Sequence, residues 1–357
     1  MTTPFDCSRR RRWAAVLVST AVLTAACSGG GESSTNDEAT APPGGTESPA
    51  GERPIQFEGA GKAKLFGTFT MPVTQGGAGV PGALVVPTAG AGSLQTGATD
   101  PLGKDLATAF AEAGVASYRY DQRGTGQSKL EPDVRLTFDD LVADARAGLD
   151  LLAQRRETTG RDLAVVGYDQ GGLVALRLAA TDPRVKRLVL ISTPGRSHLD
   201  VRAAQLQSRN GPEAAESLRS EVAKLLATRT VPPLDALRTE LRPLLPAQEA
   251  GFLAEIYSFD PAAEGAKVQA PTMIVVPAEP APYDPQRLAA AIPGAQVVTS
   301  VGSGSTLVVS GPTPEDKSDP GAANHEHGAG PPVAATTRDA GALDRIAKFV
   351  AGASARG

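Results

Sequence analysis

The chain has 357 residues, of which 41% are hydrophobic, so it is long enough for one large domain or two ordinary ones with a sizeable core. Aromatic residues make up only 4%, which predicts a core built on Ala, Val and Leu. The formal charge of −4 is mild and gives no sign of nucleic-acid binding, so we expect no nucleic-acid partner.

The N-terminus has the parts of an export signal. Residues 9–12 are all Arg, and residues 13–25 form an apolar run that is too short to span a bilayer comfortably. Small residues then lead to Cys27, in a segment that resembles a lipobox, where the cysteine is lipidated and becomes the first mature residue. The alternative is an ordinary signal peptide with an incidental Cys27. We predict a signal peptide over residues 1–26 and a lipid anchor at the extracytoplasmic face of the cell membrane.

Cleavage before Cys27 removes four Arg and one Asp, which changes the formal charge from −4 to −7. Cys7 leaves with the signal, and since the chain has two cysteines, no disulfide is expected. Residues 32–54 are polar and offer almost no large apolar side chain, so burial cannot offset the entropy lost on ordering them. The prediction is a flexible tether over 27–54 and a folded domain over 55–351.

From Ile55 onward, the hydrophobic pattern alternates between strands and helices. The predicted strands are 64–71, which is antiparallel, and 83–86, 115–120, 163–166, 185–191, 272–276 and 296–299. The predicted helices are 102–113, 138–152, 173–180, 284–291 and 342–350. This alternation indicates a doubly wound, mostly parallel α/β sheet.

Two stretches interrupt the alternation. The first is charged and helical, with predicted helices at 202–206, 212–227 and 234–245. We interpret it as a helical insertion, about 194–267, that forms a lid over the carboxyl ends of the strands. The second is a polar loop, about 311–332, which is rich in Gly, Pro and Asp and is predicted to be flexible.

Three motifs follow predicted strands. They are AGAGS at 89–93, YDQRGTGQS at 120–128 and GYDQGG at 167–172. In this order, they resemble the motifs of the α/β-hydrolase superfamily, especially its esterase and serine-aminopeptidase-like branch, over about residues 55–350. The resemblance implies the α/β-hydrolase fold. It also implies a structural role for the second motif, with glycines in tight turns and Arg123 bound to carbonyl groups.

The third motif is similar to the nucleophile elbow of this family, a strained strand-to-helix turn. Gly167 and Gly171 stand where the family's glycines let the backbone close. Asp169 stands at the nucleophile position, where the family usually has Ser. The resemblance further implies that the backbone N–H groups of Ala91 and Gln170 are the oxyanion donors.

The other two positions of the implied catalytic triad also differ from the family pattern. Ala281 stands where the family acid is expected, and Glu279 and Asp284 are nearby carboxylates that could replace it. Ser305 stands at the place of the family histidine. Members of a triad act as a unit, so three departures at linked positions argue for lost chemistry.

Three histidines exist in the chain. His198 is interpreted as a solvated loop residue in preference to a catalytic one. His325 and His327 lie in the polar loop, which could return an imidazole to the site. The favoured interpretation is that both are solvated loop residues. A His-x-His pair is weak evidence for zinc, so neither a metal nor a cofactor is expected.

Asp169 has two interpretations. As a nucleophile, it would attack carbon to form an ester that a His-activated water hydrolyses, as in families similar to haloalkane dehalogenases and epoxide hydrolases. As a structural residue, it would cap the helix that begins at Gln170, where a negative charge is favourable.

Three functional hypotheses remain. The first is a lipoprotein with a degenerate triad that binds a small or lipid-like ligand and has little ester-hydrolase activity. The second is a hydrolase of esters, epoxides or alkyl halides that uses Asp169 as nucleophile and His325 or His327 as base. The third is a protein-interaction module with a vestigial cleft.

Overall fold

The computed structural model describes residues 51–72, 79–88, 100–131, 134–278, 284–302, 307–309 and 337–352. These described residues belong to one compact unit. Several predictions lie outside the described residues, namely those for the signal peptide, Cys27, the tether up to residue 50, Ala91, Glu279, Ala281, Ser305, the polar loop, His325 and His327.

An eight-stranded sheet forms the centre of the fold, with the spatial order β1-β2-β4-β3-β5-β6-β7-β8. Its strands are β1 (Glu52–Glu58), β2 (Lys64–Thr70), β3 (Val80–Val86), β4 (Ala116–Tyr120), β5 (Thr158–Tyr168), β6 (Val185–Ile191), β7 (Thr272–Val276) and β8 (Gln296–Thr299). β2 pairs antiparallel with β1 and β4, while the strands from β3 to β8 run parallel to one another. A short antiparallel pair joins β9 (Val308–Val309) to β10 (Thr337–Arg338).

Helices cover both faces of the sheet. They are α1 (Pro101–Glu112), α2 (Phe138–Gln154), α3 (Gln170–Thr181), α4 (His198–Asn210), α5 (Pro212–Thr228), α6 (Ala250–Ser258), α7 (Pro261–Gly265), α8 (Pro285–Ala291) and α9 (Ala340–Val350). Successive strand residues point to opposite faces, so Leu84 and Val86 pack under α2 and α3, while Ala83 and Val85 pack under α1 and α9. The mostly parallel, doubly wound α/β fold that the sequence predicts is confirmed.

The first strand begins earlier than the sequence predicts. β1 starts at Glu52, so the prediction that residues 52–54 belong to a tether without fixed structure is wrong. β1 is an edge strand, and of its seven side chains only that of Phe57 is buried. An edge strand that buries so little has a weak hydrophobic pattern.

The helical insertion lies between β6 and β7 and contains α4 to α7. Many of its apolar side chains form a hydrophobic cluster of their own, while Ile256 and Phe259 belong to the cluster that includes α2 and α3. The predicted helix at 234–245 is wrong, because the structure has two short 3-10 helices there, Leu234–Ala236 and Thr239–Leu244. Pro243 has no N–H group to donate, which disfavours a continuous α-helix.

The C-terminal part of the helical insertion is attached to α2 and α3. A Glu255 carboxylate oxygen in α6 accepts hydrogen bonds from the backbone N–H groups of Phe138 and Asp139 at 2.7 and 3.2 Å. The rings of Phe138 and Phe259 lie 5.2 Å apart, and Arg177 pairs with Glu264 at 2.7 Å. A carboxylate at a helix N-terminus is favourable, so these contacts fix α6 and α7 to the core.

Candidate functional site

The turn between β5 and α3 holds Asp169 in a strained backbone conformation. Its φ and ψ are 52° and −126°, a region that residues other than Gly rarely occupy. The Asp169 N–H donates to the Ile191 carbonyl at 2.9 Å, and its carbonyl accepts from the Gly172 N–H at 3.1 Å. Strain of this kind costs about 1–3 kcal/mol and persists where the surrounding structure fixes it.

Close backbone contacts explain why glycines flank Asp169. A Cβ atom on Gly171 would collide with the carbonyl oxygen of Pro87, which follows β3. A Cβ atom on Gly167 would lie 2.6 Å from the carbonyl oxygen of Gly171. Both distances are too short for a real side chain, so the turn needs glycine at these two positions.

The Asp169 carboxylate does not cap α3. Its Oδ2 accepts a hydrogen bond from the hydroxyl of Thr88 at 3.3 Å, and its side chain accepts no capping bond from the N-terminus of α3. The interpretation of Asp169 as a helix cap is therefore wrong. The carboxylate bonds to Thr88, two residues after β3, and the N–H of Gln170, the first residue of α3, also acts on it.

The surroundings of Asp169 disfavour its charge. Burial raises the pKa of this half-buried carboxyl above its usual value. The Thr88 hydroxyl, the positive charge of Arg202 and the Gln170 N–H oppose that rise only in part. Gln170, which the resemblance implies as an oxyanion donor, is the first residue of α3, so its N–H favours the carboxylate of the residue before it.

Asp284, one of the carboxylates considered for the catalytic acid, has a local role. It is the exposed N-cap residue of α8, and its side chain accepts a hydrogen bond from the Arg287 N–H at 3.2 Å. Among the described residues, it forms no hydrogen bond or ion pair with His198 or Asp169.

His198 is not a solvated loop residue, so that interpretation is wrong. It is the first residue of α4, it is half-buried, and its ring lies 5.5 Å from the ring of Tyr257 in α6. Its Nε2 accepts a hydrogen bond from the Arg202 Nε at 3.3 Å. Burial, with the positive charge of Arg202, lowers the pKa of His198 to about 4. The imidazole is therefore neutral at neutral pH, and its Nε2 lone pair is already occupied.

Arg202 is a site residue that the sequence did not suggest. Its positive charge acts on Asp169, His198 and Tyr257, because it lowers the pKa of each. The i, i+4 spacing from His198 places the two side chains on one face of α4. That spacing, at the start of the first helix after β6, is the signal in the sequence that could have found it.

A buried phenol connects the turn to the start of α1. Burial raises the pKa of Tyr168, and the neighbouring Asp100 carboxylate, to which the phenol is hydrogen-bonded, raises it further. Asp100 also caps α1 by accepting from the Gly103 N–H at 2.9 Å. The Thr88 backbone N–H donates to the phenol and lowers its pKa in part, so Tyr168 and Asp169 both contact Thr88.

The second motif has a structural role. Arg123 donates to the carbonyl of Ala60, as predicted, and its Nε and Nη2 both bind the buried carboxylate of Asp144 at 2.6 Å. The sequence did not identify Asp144 as the partner. The Asp121 carboxylate accepts from the Gln127 N–H at 2.8 Å, which closes the glycine-containing turn.

Within the described ranges, no group of three or more His, Cys, Asp and Glu side chains is placed to hold a metal ion. In the same part of the chain, no helix combines the length and the apolar character needed to cross a bilayer.

Sequence comparisons connect the chain to hydrolases. The family model for serine aminopeptidase, S33, matches residues 102–242. The chain is also 40% identical over 85 residues to RutD of Variovorax paradoxus (strain S110), whose name assigns it carbamate hydrolysis. That alignment covers 24% of this chain and 30% of RutD, so the chain spans less than a third of that relative.

Solved structures show the same fold. An acetyl xylan esterase from Paenibacillus sp. R4 superposes with a TM-score of 0.50 at 16% identity, over 71% of this chain and 79% of the esterase. The hypothetical protein PA2218 from Pseudomonas aeruginosa gives 0.52 at 15% identity, over 71% and 86% of the two chains. With the sheet order described above, these similarities show an α/β-hydrolase fold.

Proposed function

We propose that this chain, which has the α/β-hydrolase fold, is a lipid-anchored extracytoplasmic protein that binds a small or lipid-like ligand and has little ester-hydrolase activity. The observation that carries the proposal is the carboxylate of Asp169 at the strained turn, where a hydrolase of this fold presents its nucleophile. The helical insertion is proposed to cover this site.

The chemistry of Asp169 supports weak activity toward esters. Attack of its carboxylate on an ester carbonyl forms an anhydride and expels the alkoxide, and the anhydride readily reverts. The neutral His198 does not supply a base, because its Nε2 accepts a hydrogen bond from Arg202. The sequence adds Ala281 and Ser305 at the positions of the family acid and base.

Ester turnover by the full-length protein tests the proposal. With p-nitrophenyl acetate and butyrate, we expect at most the weak catalysis that oxyanion donors and binding alone supply, on the order of 10³–10⁴-fold over water. Asp169→Ser restores a hydroxyl but neither a base nor an acid, so it should not rescue turnover. Robust hydrolysis that disappears in Asp169→Asn would overturn the proposal.

A second candidate function is a hydrolase with Asp169 as nucleophile. It is favoured by one observation, namely that the carboxylate does not cap α3 and is held at the strained turn. In this reaction, a carboxylate oxygen forms a bond to an alkyl carbon and the halide leaves with the bonding electron pair. Incubation with 1-bromobutane, followed by mass spectrometry, tests it.

Each outcome of that incubation has a distinct meaning. Turnover to butanol that is lost in Asp169→Asn and in His325→Ala or His327→Ala would establish an Asp-nucleophile enzyme and identify its base. A butyl ester that accumulates on the peptide containing Asp169 would show a nucleophile without a base. An unmodified peptide and no butanol exclude this candidate for alkyl halides such as 1-bromobutane.

The proposed membrane anchor is tested separately. The cluster of four Arg, the short apolar run and the small residues before Cys27 support lipidation. We expect Cys27→Ala to move the protein from the membrane fraction to the soluble extracytoplasmic fraction. If the variant stays in the membrane fraction as before, lipidation of Cys27 is not the anchor.

A further inference from the structure

The two edges of the eight-stranded sheet differ in how they are protected. β1 forms one edge, and it carries Glu52, Arg53 and Glu58. It also contains Pro54, which has no N–H group to donate. β8 forms the other edge, with the sequence QVVT, and no residue from position 288 to position 314 is charged. Charges and proline on an edge strand oppose pairing with a further strand, so β1 is protected and β8 is not.

β8 also exposes apolar side chains. Val297 is 47% exposed, and Val301, two residues after the strand ends, is 71% exposed. Val298 points to the other face of the sheet and packs against the hydrophobic cluster that α1 and α9 cover. Covering Val297 and Val301 would remove apolar surface from water, which is favourable. An uncharged edge strand with exposed β-branched residues is suited to pairing with another strand.

The backbone of β8 presents donors and acceptors along this edge. The Ser300 N–H donates to the Val276 carbonyl of β7 at 2.8 Å. Since the backbone groups of successive strand residues point to alternate edges, those of Val297 and Thr299 face away from β7. The Thr299 carbonyl accepts from Arg345 of α9 at 3.5 Å. Among the residues that the structure describes, none bonds to the Thr299 N–H or to the outward N–H and carbonyl of Val297.

These outward groups are complementary to themselves in one register. When two copies of β8 pair antiparallel with Val297 opposite Val297, each Val297 N–H donates to the carbonyl of the other. Thr299 then lies opposite Ala295, and its N–H can donate to the Ala295 carbonyl. The remaining two groups already have partners, because the Ala295 N–H donates to the Ile292 carbonyl at 3.2 Å and the Thr299 carbonyl accepts from Arg345.

We propose that β8 is the interface for a second copy of this chain, and that the two sheets join through an antiparallel β8–β8 pair about a two-fold axis at Val297. An uncharged edge meets an identical uncharged edge, so no like charges are brought together within the strand pair. The two-fold axis uses both β8 edges and leaves the two β1 edges, which their charges and Pro54 protect. The assembly therefore stops at a dimer and does not grow into a fibre.

Cysteine cross-linking tests the interface and its register. The full chain with Cys7→Ala and Cys27→Ala provides a background without thiols. In the proposed pair, the two Cα atoms of residue 297 lie about 5.5 Å apart, within the range of a disulfide, whereas those of residue 299 lie roughly 14 Å apart. We expect oxidation by air with copper phenanthroline to link Val297→Cys into dimers at least tenfold faster than Thr299→Cys. Both residues are exposed on the same face of β8, so random collisions would link the two variants at similar rates.

Analytical ultracentrifugation of the same thiol-free chain measures the assembly. We expect a monomer–dimer equilibrium between micromolar and millimolar concentration. Val297→Lys places two like charges opposite each other and should raise the dissociation constant of the dimer at least tenfold. Leu234→Lys is the matched control, because it adds the same charge at a residue of the helical insertion that is 55% exposed. It should dimerise like the parent chain.

Three results would each overturn the proposal. The first is a monomer at every concentration up to millimolar. The second is cross-linking of Val297→Cys that is no faster than that of Thr299→Cys. The third is growth into species larger than a dimer, which would show that the β8 edge aggregates. A thermal unfolding curve shows whether each variant is folded, and the two cysteine variants decide the matter if Val297→Lys is not. These outcomes leave the proposed ligand-binding function untouched, since the dimer does not depend on Asp169.

Discussion

Two carboxylates, Asp144 in α2 and Asp169 at the strained turn, lie in regions where burial raises the pKa of each. Asp144 is almost fully buried, and its oxygens accept hydrogen bonds from two nitrogens of Arg123 at 2.6 Å and from the Ala60 N–H at 2.8 Å. Asp169 accepts from the Thr88 hydroxyl at 3.3 Å, is favoured by the Gln170 N–H, and has no direct ion pair within the described residues. The charge of Asp144 is thus well compensated by hydrogen bonds and an ion pair, and that of Asp169 is not.

The difference indicates what each region is for. A bidentate arginine with a further backbone donor satisfies a buried carboxylate, so Asp144 and Arg123 hold the turn at 120–128 against the segment before β2. A strained residue with a poorly compensated charge is typical of a binding or catalytic position. We therefore expect substitutions in the first region to affect stability and those in the second to affect ligand binding.

The largest expected effect is a loss of stability when Asp144 loses its counter-charge, Arg123. Arg123→Met leaves Asp144 buried without its counter-charge, so the free energy of unfolding should fall by about 3–5 kcal/mol. Urea unfolding at pH 7 measures this loss. Arg161→Met, which removes an exposed arginine, is the control and should change the free energy of unfolding by no more than about 0.5 kcal/mol.

A double substitution sharpens this result. Arg123→Met with Asp144→Leu removes both charges, and a well-packed apolar pair is often as stable as a buried ion pair. We expect the double variant to recover much of the stability that Arg123→Met loses. If the double variant is as unstable as the single one, the hydrogen bonds to Ala60 matter more than the charges.

The next expected effect concerns His198, whose pKa is about 4 in the folded chain against 6.5 for an ordinary histidine. The flanking groups are Arg202 in α4 and Tyr257 in α6. Above pH 6.5, both folded and unfolded chains carry a neutral imidazole. As the pH falls from about 6.5 to about 4, only the unfolded chain binds the proton, so stability is lost by up to about 3 kcal/mol.

Urea unfolding between pH 8 and pH 4 measures this loss. His198→Gln is the matched variant, because its side-chain oxygen can still accept from Arg202 and it does not titrate. The difference between wild type and His198→Gln cancels the titration of other groups and should grow as the pH falls. A difference that is independent of pH would mean that His198 is solvated in the folded chain.

The sequence predicted the sheet better than the site. β6, β7 and β8 match their predicted bounds, because short apolar runs between polar residues mark buried strands. The elbow was identified because glycines are needed on both sides of Asp169. The environment of His198 was missed, since α6, which covers it, lies more than fifty residues further along the chain. Local patterns carry no information about such a contact.

The smallest expected effect is the change in stability on replacing Asp169 with Asn, and its sign is opposite to that expected at Asp144. A raised pKa means that the folded chain favours the neutral form of Asp169. Its contribution to stability is therefore full below the unfolded pKa of 3.8 and is lost as the pH rises through the folded pKa. Asn at position 169 stays neutral, tolerates a positive φ, and can accept from Thr88. Asp169→Asn should stabilise the protein at pH 7 by no more than about 1 kcal/mol, since solvent screens a half-buried group, and by almost nothing below pH 3.8. Asp144→Asn is the matched comparison and should destabilise the protein at pH 7, because it leaves the buried Arg123 without its counter-charge. Thermal unfolding of both variants measures whether each substitution raises or lowers stability.

A loss of stability in Asp169→Asn as large as that in Asp144→Asn would place Asp169 among the structural charges and remove the contrast between the two regions.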